Sequence, residues 1–223
     1  MADHANSTWP PAAGLTTQYI PRQEAIMTIS GSARINAPAS QVFDAVLNVG
    51  EFGQWNTFCP RVTLQQQPDG HASSARLQLG TKFTFHVIMN SDKPQSENAA
   101  ALMVCDLSTP TSPSSYVPKA VLEGDGSYTA DLSTVYRVGW RNQDGLMAKG
   151  LRAGRFHEVI VLSNKECEVR TWELQSGLLV YIVKALYQKT LVRIHGEETS
   201  IVRDAANCFA FLCVGGEVPD VVR

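Results

Sequence analysis

Hydrophobic and polar residues alternate along residues 24–37, EAIMTISGSARINA. Ile29, Ala33 and Ile35 fall on one side of this segment, and the polar residues between them fall on the other. A period of two is typical of a β-strand with one solvent-facing side. We therefore predict that ordered structure begins with a strand near Glu24.

A short helix with one buried face is predicted directly after this strand. Pro38 suits the first turn of a helix, because its missing N–H would have no partner there. Val42, Phe43, Val46 and Leu47 then form an i, i+1, i+4, i+5 stripe. One face of the helix should therefore pack against the sheet.

The residues after Gly50 predict a second short helical turn, EFGQW, followed by a series of strands. Clusters of Asp, Asn, Gly, Pro and Ser separate the strand-like segments, which favours an antiparallel meander over a parallel βαβ arrangement. The predicted strands are residues 56–67, 76–90, 99–107, 134–141, 156–162 and 168–174.

Three segments depart from this pattern. Residues 1–23 are rich in Pro, Ala, Thr and Ser without a period, so we expect a flexible or loosely docked arm before a single domain over residues 24–223. Residues 108–132 are longer than an ordinary connection and predict an excursion at one end of the sheet. From Leu178 onward, apolar residues recur at helical intervals and predict a long C-terminal helix, with a break at His195-Gly196.

Composition and charge exclude several function classes. The chain has 223 residues, of which 44% are apolar and 18% charged, as in a globular protein with a large core. Its 19 basic and 21 acidic residues form no basic face, which argues against nucleic acid as a partner. The N-terminus does not resemble a secretory signal, and the apolar run GLLVYIV is far shorter than the roughly 20 residues of a membrane span. We expect a cytoplasmic protein with no integral membrane association.

The order of elements and two motifs resemble the START-like (SRPBCC) superfamily with its helix-grip fold, in its polyketide cyclase/dehydrase-like branch. The first motif is INAPASQVFDAVLNVGEFGQWNTF, although Thr57 stands where the family usually has Pro. The second is the junction from Glu173 to Gly177 into the last helix. The resemblance implies an α+β fold in which a curved antiparallel sheet wraps around the C-terminal helix, with two short helices after the first strand.

The resemblance also implies a largely apolar pocket between the sheet and the last helix, typically of about 300 to 1,000 Å³. A small hydrophobic molecule is the expected ligand or substrate. Because this architecture serves catalysts and carriers alike, the resemblance does not by itself define an activity. The sequence also leaves open whether the protein is a homodimer.

Familiar catalytic and cofactor motifs are absent from the sequence. It contains no Gly-rich phosphate loop, no Cys-x-x-Cys, no His-Glu-x-x-His and no Gly-x-Ser-x-Gly, and its five histidines are scattered singly. We therefore expect neither a cofactor nor a metal. The five cysteines are irregularly spaced, and we interpret them as buried small hydrophobes in a reducing compartment, with a nucleophilic cysteine as the alternative.

Acid/base chemistry in an apolar pocket is the remaining possibility, with His157 and Glu173 as the first candidates. A three-residue hairpin loop would place His157 opposite Glu173, whereas a two-residue loop would place Phe156 there. In the first register the carboxylate would orient the imidazole and tune its pKa for a general base. The alternative is that His157 lies on the outer face and Glu173 caps the last helix or pairs with an arginine. Arg155 shares a face with His157.

His86 is a second candidate base, but only if its side of the strand lines the pocket. If Phe83 and Phe85 face the core, His86 instead points to solvent. Aromatic side chains could line the pocket or simply pack in the core. The predicted ligand-binding residues are Trp55, Phe83, Phe85, Tyr136, Trp140, Arg155 and Tyr181.

Three functions are compatible with these observations. The favoured one is a cofactor-independent cyclase or dehydratase, a lyase or isomerase of secondary metabolism, which confines a polyketide-like intermediate and assists its cyclisation or dehydration with acid/base groups. The alternative is a carrier or sensor that binds a lipid or secondary metabolite without chemistry. A weaker alternative is a structural partner that docks through residues 1–23.

Overall fold

The computed structural model describes residues 9–56, 58–70, 73–88, 97–144 and 150–185. Seven of its strands form one antiparallel sheet in the order β1-β7-β6-β5-β4-β3-β2. The first strand therefore pairs with the last, and the remaining strands follow as a meander. The predicted α+β class and the antiparallel arrangement are confirmed.

The strands and the first two helices follow the order predicted from the sequence, whereas a third helix lies within the predicted excursion and was not predicted. The helices are α1 (Ala39–Leu47), α2 (Phe52–Trp55) and α3 (Lys119–Gly124), and 3-10 turns span Arg22–Glu24 and Val49–Glu51. The strands are β1 (Met27–Ile35), β2 (Arg61–Gln66), β3 (Lys82–Ile88), β4 (Glu97–Ser108), β5 (Val135–Asn142), β6 (Arg152–Ser163) and β7 (Glu166–Ser176).

One face of the sheet, here called the inner face, packs against α1. The helix begins after Pro38 and buries the predicted stripe, including Val42 and Phe43. The stripe joins Val138 of β5 and Val159 of β6 in one apolar cluster. The period of two in β1 likewise places Ile35 in this cluster.

The opposite face, here called the outer face, is covered by a second apolar layer. Phe156 and Trp172 stack on this face with ring centroids 5.5 Å apart. Residues 9–23, which the sequence predicts to be a flexible or loosely docked arm, pack on these rings and completely bury Ile20. Tyr128, from the excursion predicted at one end of the sheet, joins the same layer. Both irregular segments therefore contribute to the core.

The β6–β7 hairpin has a register that neither sequence alternative anticipated. Its turn contains two residues, Asn164 and Lys165, but a bulge between Val161 and Ser163 shifts the pairing by one position. As a result Glu173 lies opposite Arg155. The predicted pairing of Glu173 with His157, and the alternative with Phe156, are both corrected by this bulge, because one extra residue in a strand moves every later partner.

The junction after β7 depends on a glycine. Gly177 has a φ of 103°, and a Cβ at this position would lie 2.4 Å from the carbonyl oxygen of Gly150. Residues 179–185 are helical after this junction. The rest of the predicted long C-terminal helix lies in residues 186–223, outside the described residues. No helix in the described part of the chain is long and apolar enough to cross a membrane.

Candidate functional site

Five polar residues of β6 and β7 lie side by side on the inner face, in a region otherwise lined by apolar side chains. Arg155 and His157 alternate along β6, and Thr171, Glu173 and Gln175 alternate along β7. The pairing register places His157 opposite Thr171 and Arg155 opposite Glu173. We call this group the polar strip.

Three members of the polar strip form a hydrogen-bonded chain. The Nε of Arg155 donates to Oε2 of Glu173 at 2.7 Å, and the side-chain amide nitrogen of Gln175 donates to the other carboxylate oxygen. The side chains of Arg155 and Glu173 are 21% and 16% exposed, so the pair is partly shielded from water. The hydrogen bond to the carboxylate therefore holds the guanidinium of Arg155 in one orientation.

His157 lies next to this chain and under an aromatic ring. Its ring centroid is 4.6 Å from that of Trp140, and its Nε2 atom is buried without a hydrogen-bond partner among the described residues. Burial, followed by the positive charge of Arg155, lowers the pKa of His157 well below its usual value. The imidazole is therefore neutral at physiological pH, and the carboxylate predicted to tune its pKa instead pairs with Arg155.

Two further atoms of the polar strip are buried without partners in the described part of the chain. They are Oγ1 of Thr171 and Oε1 of Gln175. Sequence reasoning did not single out either residue. The alternation around Glu173 does place both on its face, but only the structure shows that their oxygen atoms are unpaired.

Aromatic residues of β3 and β5 continue the inner face beside the polar strip. Trp140 meets Phe85 edge to face at 5.5 Å and Phe83 at 6.0 Å, and Tyr136 lies 5.3 Å from Phe43 of α1. Phe83 and Trp140 are almost completely buried. These four predicted ligand-binding residues therefore pack on the same face as His157.

Two predicted site residues, His86 and Tyr181, lie away from the polar strip, whereas Trp55 packs against the apolar cluster of the inner face. His86 points to the outer face, where Nδ1 is 2.8 Å from Nη2 of Arg61 and Nε2 is 2.9 Å from Oγ1 of Thr63. It alternates along β3 with Phe83 and Phe85, whose side chains lie on the inner face, and is therefore on the opposite side of the sheet from His157. Tyr181 is 59% exposed. Trp55 packs on Phe52 with ring centroids 4.8 Å apart, at the end of the small helices.

Two surface cavities and the thiols of Cys59 and Cys105 are further candidates for a catalytic site within the described part of the chain. A surface cavity of about 500 Å³ lies within residues 114–133, and another of about 620 Å³ lies between α1 and residues 74–76. Neither includes a residue of the polar strip. Burial raises the pKa of the Cys59 thiol to about 12 and also raises that of Cys105, so the reactive thiolate is scarce at both.

The outer face contains a cluster of buried charges that the sequence did not reveal. Nε of Arg137 donates to Oδ2 of Asp106 at 2.6 Å, and Nη1 lies 3.6 Å from Glu158. All three side chains are fully buried, and burial raises the pKa of Glu158. Thr129 of the excursion donates its backbone N–H and hydroxyl to Glu158. The cluster therefore ties the excursion to the sheet.

The seven-stranded antiparallel sheet, with two small helices after its first strand, forms an α+β fold of the helix-grip-like kind. A family model described as "polyketide cyclase / dehydrase and lipid transport" matches residues 35–103. The chain is 34% identical, over 180 residues, to "oxopyrrolidines biosynthesis cluster protein O" of Penicillium oxalicum, and the match covers 78% of this chain and 83% of that protein. The chain belongs to the polyketide cyclase/dehydrase branch of the START-like superfamily.

Solved structures show the same fold at low sequence identity. A hypothetical protein of Helicobacter pylori superimposes with a TM-score of 0.56 at 15% identity, over 92% of this chain and 97% of that chain. The Zhui aromatase/cyclase of Streptomyces sp. R1128 superimposes with a TM-score of 0.50 at 8% identity, over 86% of this chain and 99% of that chain. At these identities the similarity establishes the architecture alone.

Proposed function

We propose that this protein is an enzyme of natural-product biosynthesis that binds a carbonyl-rich intermediate on the inner face and assists its cyclisation or dehydration. The observation that carries the proposal is the polar strip, in which a neutral histidine lies beside an oriented arginine within an apolar, aromatic surface. The relationship to a biosynthesis-cluster protein of Penicillium oxalicum supports the substrate class.

His157 is proposed as the general base. Because burial keeps its imidazole unprotonated, the nitrogen facing the ligand can accept a proton from a methylene between two carbonyl groups. The electron pair of the broken C–H bond then moves into one carbonyl and generates an enolate. Arg155, held by Glu173, is proposed to stabilise the negative oxygen.

The enolate carbon would then attack a second carbonyl of the same molecule. A new C–C bond forms, the carbonyl π electrons move to its oxygen, and the imidazolium returns its proton to the resulting alkoxide. An imidazolium buried beside Arg155 is unfavourable, which promotes this return of the proton. A later elimination of water from the aldol product would give the dehydrated ring without any external oxidant.

Replacement of the related protein in Penicillium oxalicum tests this proposal. A strain that lacks the cluster protein would receive the gene for this chain, and its oxopyrrolidine products would be quantified by mass spectrometry. We expect wild-type protein to restore the product, and His157→Gln to restore at most about one hundredth of it, the range for loss of a general base.

The same experiment distinguishes an enzyme from a carrier. Full restoration by His157→Gln would contradict a catalytic base and favour a protein that only binds its ligand. Gln41→Met, on the exposed side of α1, serves as a control for expression and handling. Failure of the wild-type protein to restore any product would overturn the proposed role.

A further inference from the structure

Three unpaired polar atoms of the polar strip point to the chemistry of the ligand. His157 Nε2, Thr171 Oγ1 and Gln175 Oε1 are buried without hydrogen-bond partners among the described residues. Each unpaired atom of this kind destabilises the folded protein, and folded proteins contain few of them. Their occurrence on one face of two paired strands indicates that a ligand supplies the missing partners.

The orientation of the Gln175 amide is fixed by its neighbour. Its amide group hydrogen bonds to Oε1 of Glu173, and an ionised carboxylate can only accept hydrogen bonds. Gln175 must therefore present its NH₂ group to Glu173, and its oxygen is the atom left unpaired. An amide oxygen can only accept, so the ligand group that meets it must carry an N–H or O–H donor.

The opposite end of the polar strip has a different hydrogen-bonding capacity. The hydroxyl of Thr171 can both donate and accept, and it lies on the residue opposite His157. This end can therefore bind a carbonyl oxygen, which is a group without a donor. The two ends of the strip differ in polarity, so they can orient an asymmetric ligand.

The spacing between the two ends fits a compact ligand. Thr171 and Gln175 are four residues apart on β7, or about 13 Å at about 3.3 Å per residue. Glu173, which bonds to the Gln175 amide, lies between them on the same face. A small ring with one acyl substituent, together with its two hydrogen bonds of about 3 Å each, spans a distance of this order.

We propose that the polar strip recognises an amide-containing β-dicarbonyl, with its N–H donated to Gln175 Oε1 and a carbonyl oxygen bound by Thr171. An acylated lactam ring has this pattern of one donor and several acceptors. The inference rests on the proposed function, because it assigns the substrate class of the same site. It adds Gln175 and Thr171 as residues that determine specificity.

Binding of a matched pair of small molecules tests the assignment. The probes are 3-acetylpyrrolidine-2,4-dione and its N-methyl derivative, which differ in the one donor at issue. Isothermal titration calorimetry with the full chain should show that the N–H compound binds about tenfold more tightly, the effect of one hydrogen bond of about 1.4 kcal/mol.

Variants then identify the residue responsible for this preference. Gln175→Met retains the size of the side chain but removes the acceptor, and should reduce the preference to about one. Its affinity for the N-methyl compound should remain at or above that of wild type, which also demonstrates that the variant is folded. Gln41→Met, the same substitution at an exposed position of α1, should retain the tenfold preference.

Equal affinity of wild type for the two compounds, or binding of neither, would overturn this assignment. A tenfold preference that persists in Gln175→Met would do so as well. These outcomes differ from failure of the proposed function, which is judged by whether the chain restores product in Penicillium oxalicum. Restored product with equal binding of both probes would contradict only the subsite.

Discussion

Arg155 and Glu173 face each other across β6 and β7, and the Nε of Arg155 donates to the Glu173 carboxylate at 2.7 Å. Arg170 and Glu168 form an ion pair of the same length on the outer face of β7. The exposed fractions of the two pairs are also similar, 21% and 16% against 21% and 19%. The sheet thus contains two matched ion pairs, of which only one belongs to the polar strip.

Matched substitutions in these two ion pairs can distinguish a role in activity from a role in stability. We expect Glu173→Gln to lower product formation at least about tenfold, because Arg155 and Gln175 would lose the group that orients them. Glu168→Gln should leave product formation unchanged. Both substitutions should change the free energy of unfolding by only about 1 kcal/mol or less, as partly exposed pairs do. Product quantification and urea denaturation provide the two measurements, and equal loss of product in both variants would contradict the prediction.

The buried imidazole of His157 predicts a pH-dependent contribution to stability. Its pKa in the folded protein lies below the ordinary value of 6.5, so the unfolded chain binds the proton more readily. The free energy of unfolding should therefore fall on acidification from about pH 6.5 towards the folded-state pKa, by up to about 1.4 kcal/mol per pH unit. Above about pH 6.5 this contribution does not vary with pH.

Urea denaturation of wild type and His157→Gln across this pH range measures that contribution. The pKa of Glu158 is raised in the folded protein, so acidification below that value increases the free energy of unfolding, which is the opposite effect. Glu158 is present in both proteins, so its contribution cancels in the difference between them. We expect the difference in free energy of unfolding to change with pH below about 6.5 and to be constant above it. A difference that is independent of pH would show that His157 is not buried as a neutral group.

The buried charges of the outer face predict a strongly non-additive set of substitutions. Arg137→Met removes the cation between two buried carboxyl groups and should destabilise the protein by about 3–5 kcal/mol. Adding Asp106→Leu and Glu158→Gln should recover most of this loss, because no buried group is then left charged. Urea denaturation of the single and triple variants tests this, and equal stability of Arg137→Met and wild type would contradict it.

The packed N-terminal segment makes its own contribution to stability. Leu15 is 4% exposed in the outer apolar layer, whereas Leu79 is 56% exposed. Leu15→Ala should lower the free energy of unfolding by about 2–5 kcal/mol, as for other buried leucines. The same change at Leu79 should cost about 0.5 kcal/mol or less. Similar small effects at both positions would show that this segment is only loosely docked in solution.

Local sequence patterns predicted the elements well where each element has one buried face. The alternation of β1 and the stripe of α1 depend on short-range periodicity, and the structure buries Ile35, Val42 and Phe43 as expected. The outer face of β5 is different, because it buries Arg137 under the excursion. A charged residue between hydrophobic neighbours is normally interpreted as solvent-facing, and no local pattern reveals a distant partner such as Asp106.

The candidate site was predicted in composition but not in geometry. Arg155 and His157 were placed on one face by alternation, and Glu173 was placed on the neighbouring strand. The bulge after Val161 decided their pairing, since one additional residue changed the partner of Glu173. Sequence spacing does not specify a bulge, so the position of Arg155 opposite Glu173 is visible only in the structure.

By itself, the sequence determined the order of the strands and of the first two helices, the membership of the START-like superfamily and the alternation that puts Arg155 and His157 on one face of β6. These depend on periodicity and on motifs a few residues long, which act within a single segment. The tertiary structure alone decided that Glu173 pairs with Arg155, that residues 9–23 cover the outer face, and that Thr171 and Gln175 keep unpaired atoms. Each of these depends on contacts between segments distant in sequence, whose register and burial are fixed only when the whole sheet packs.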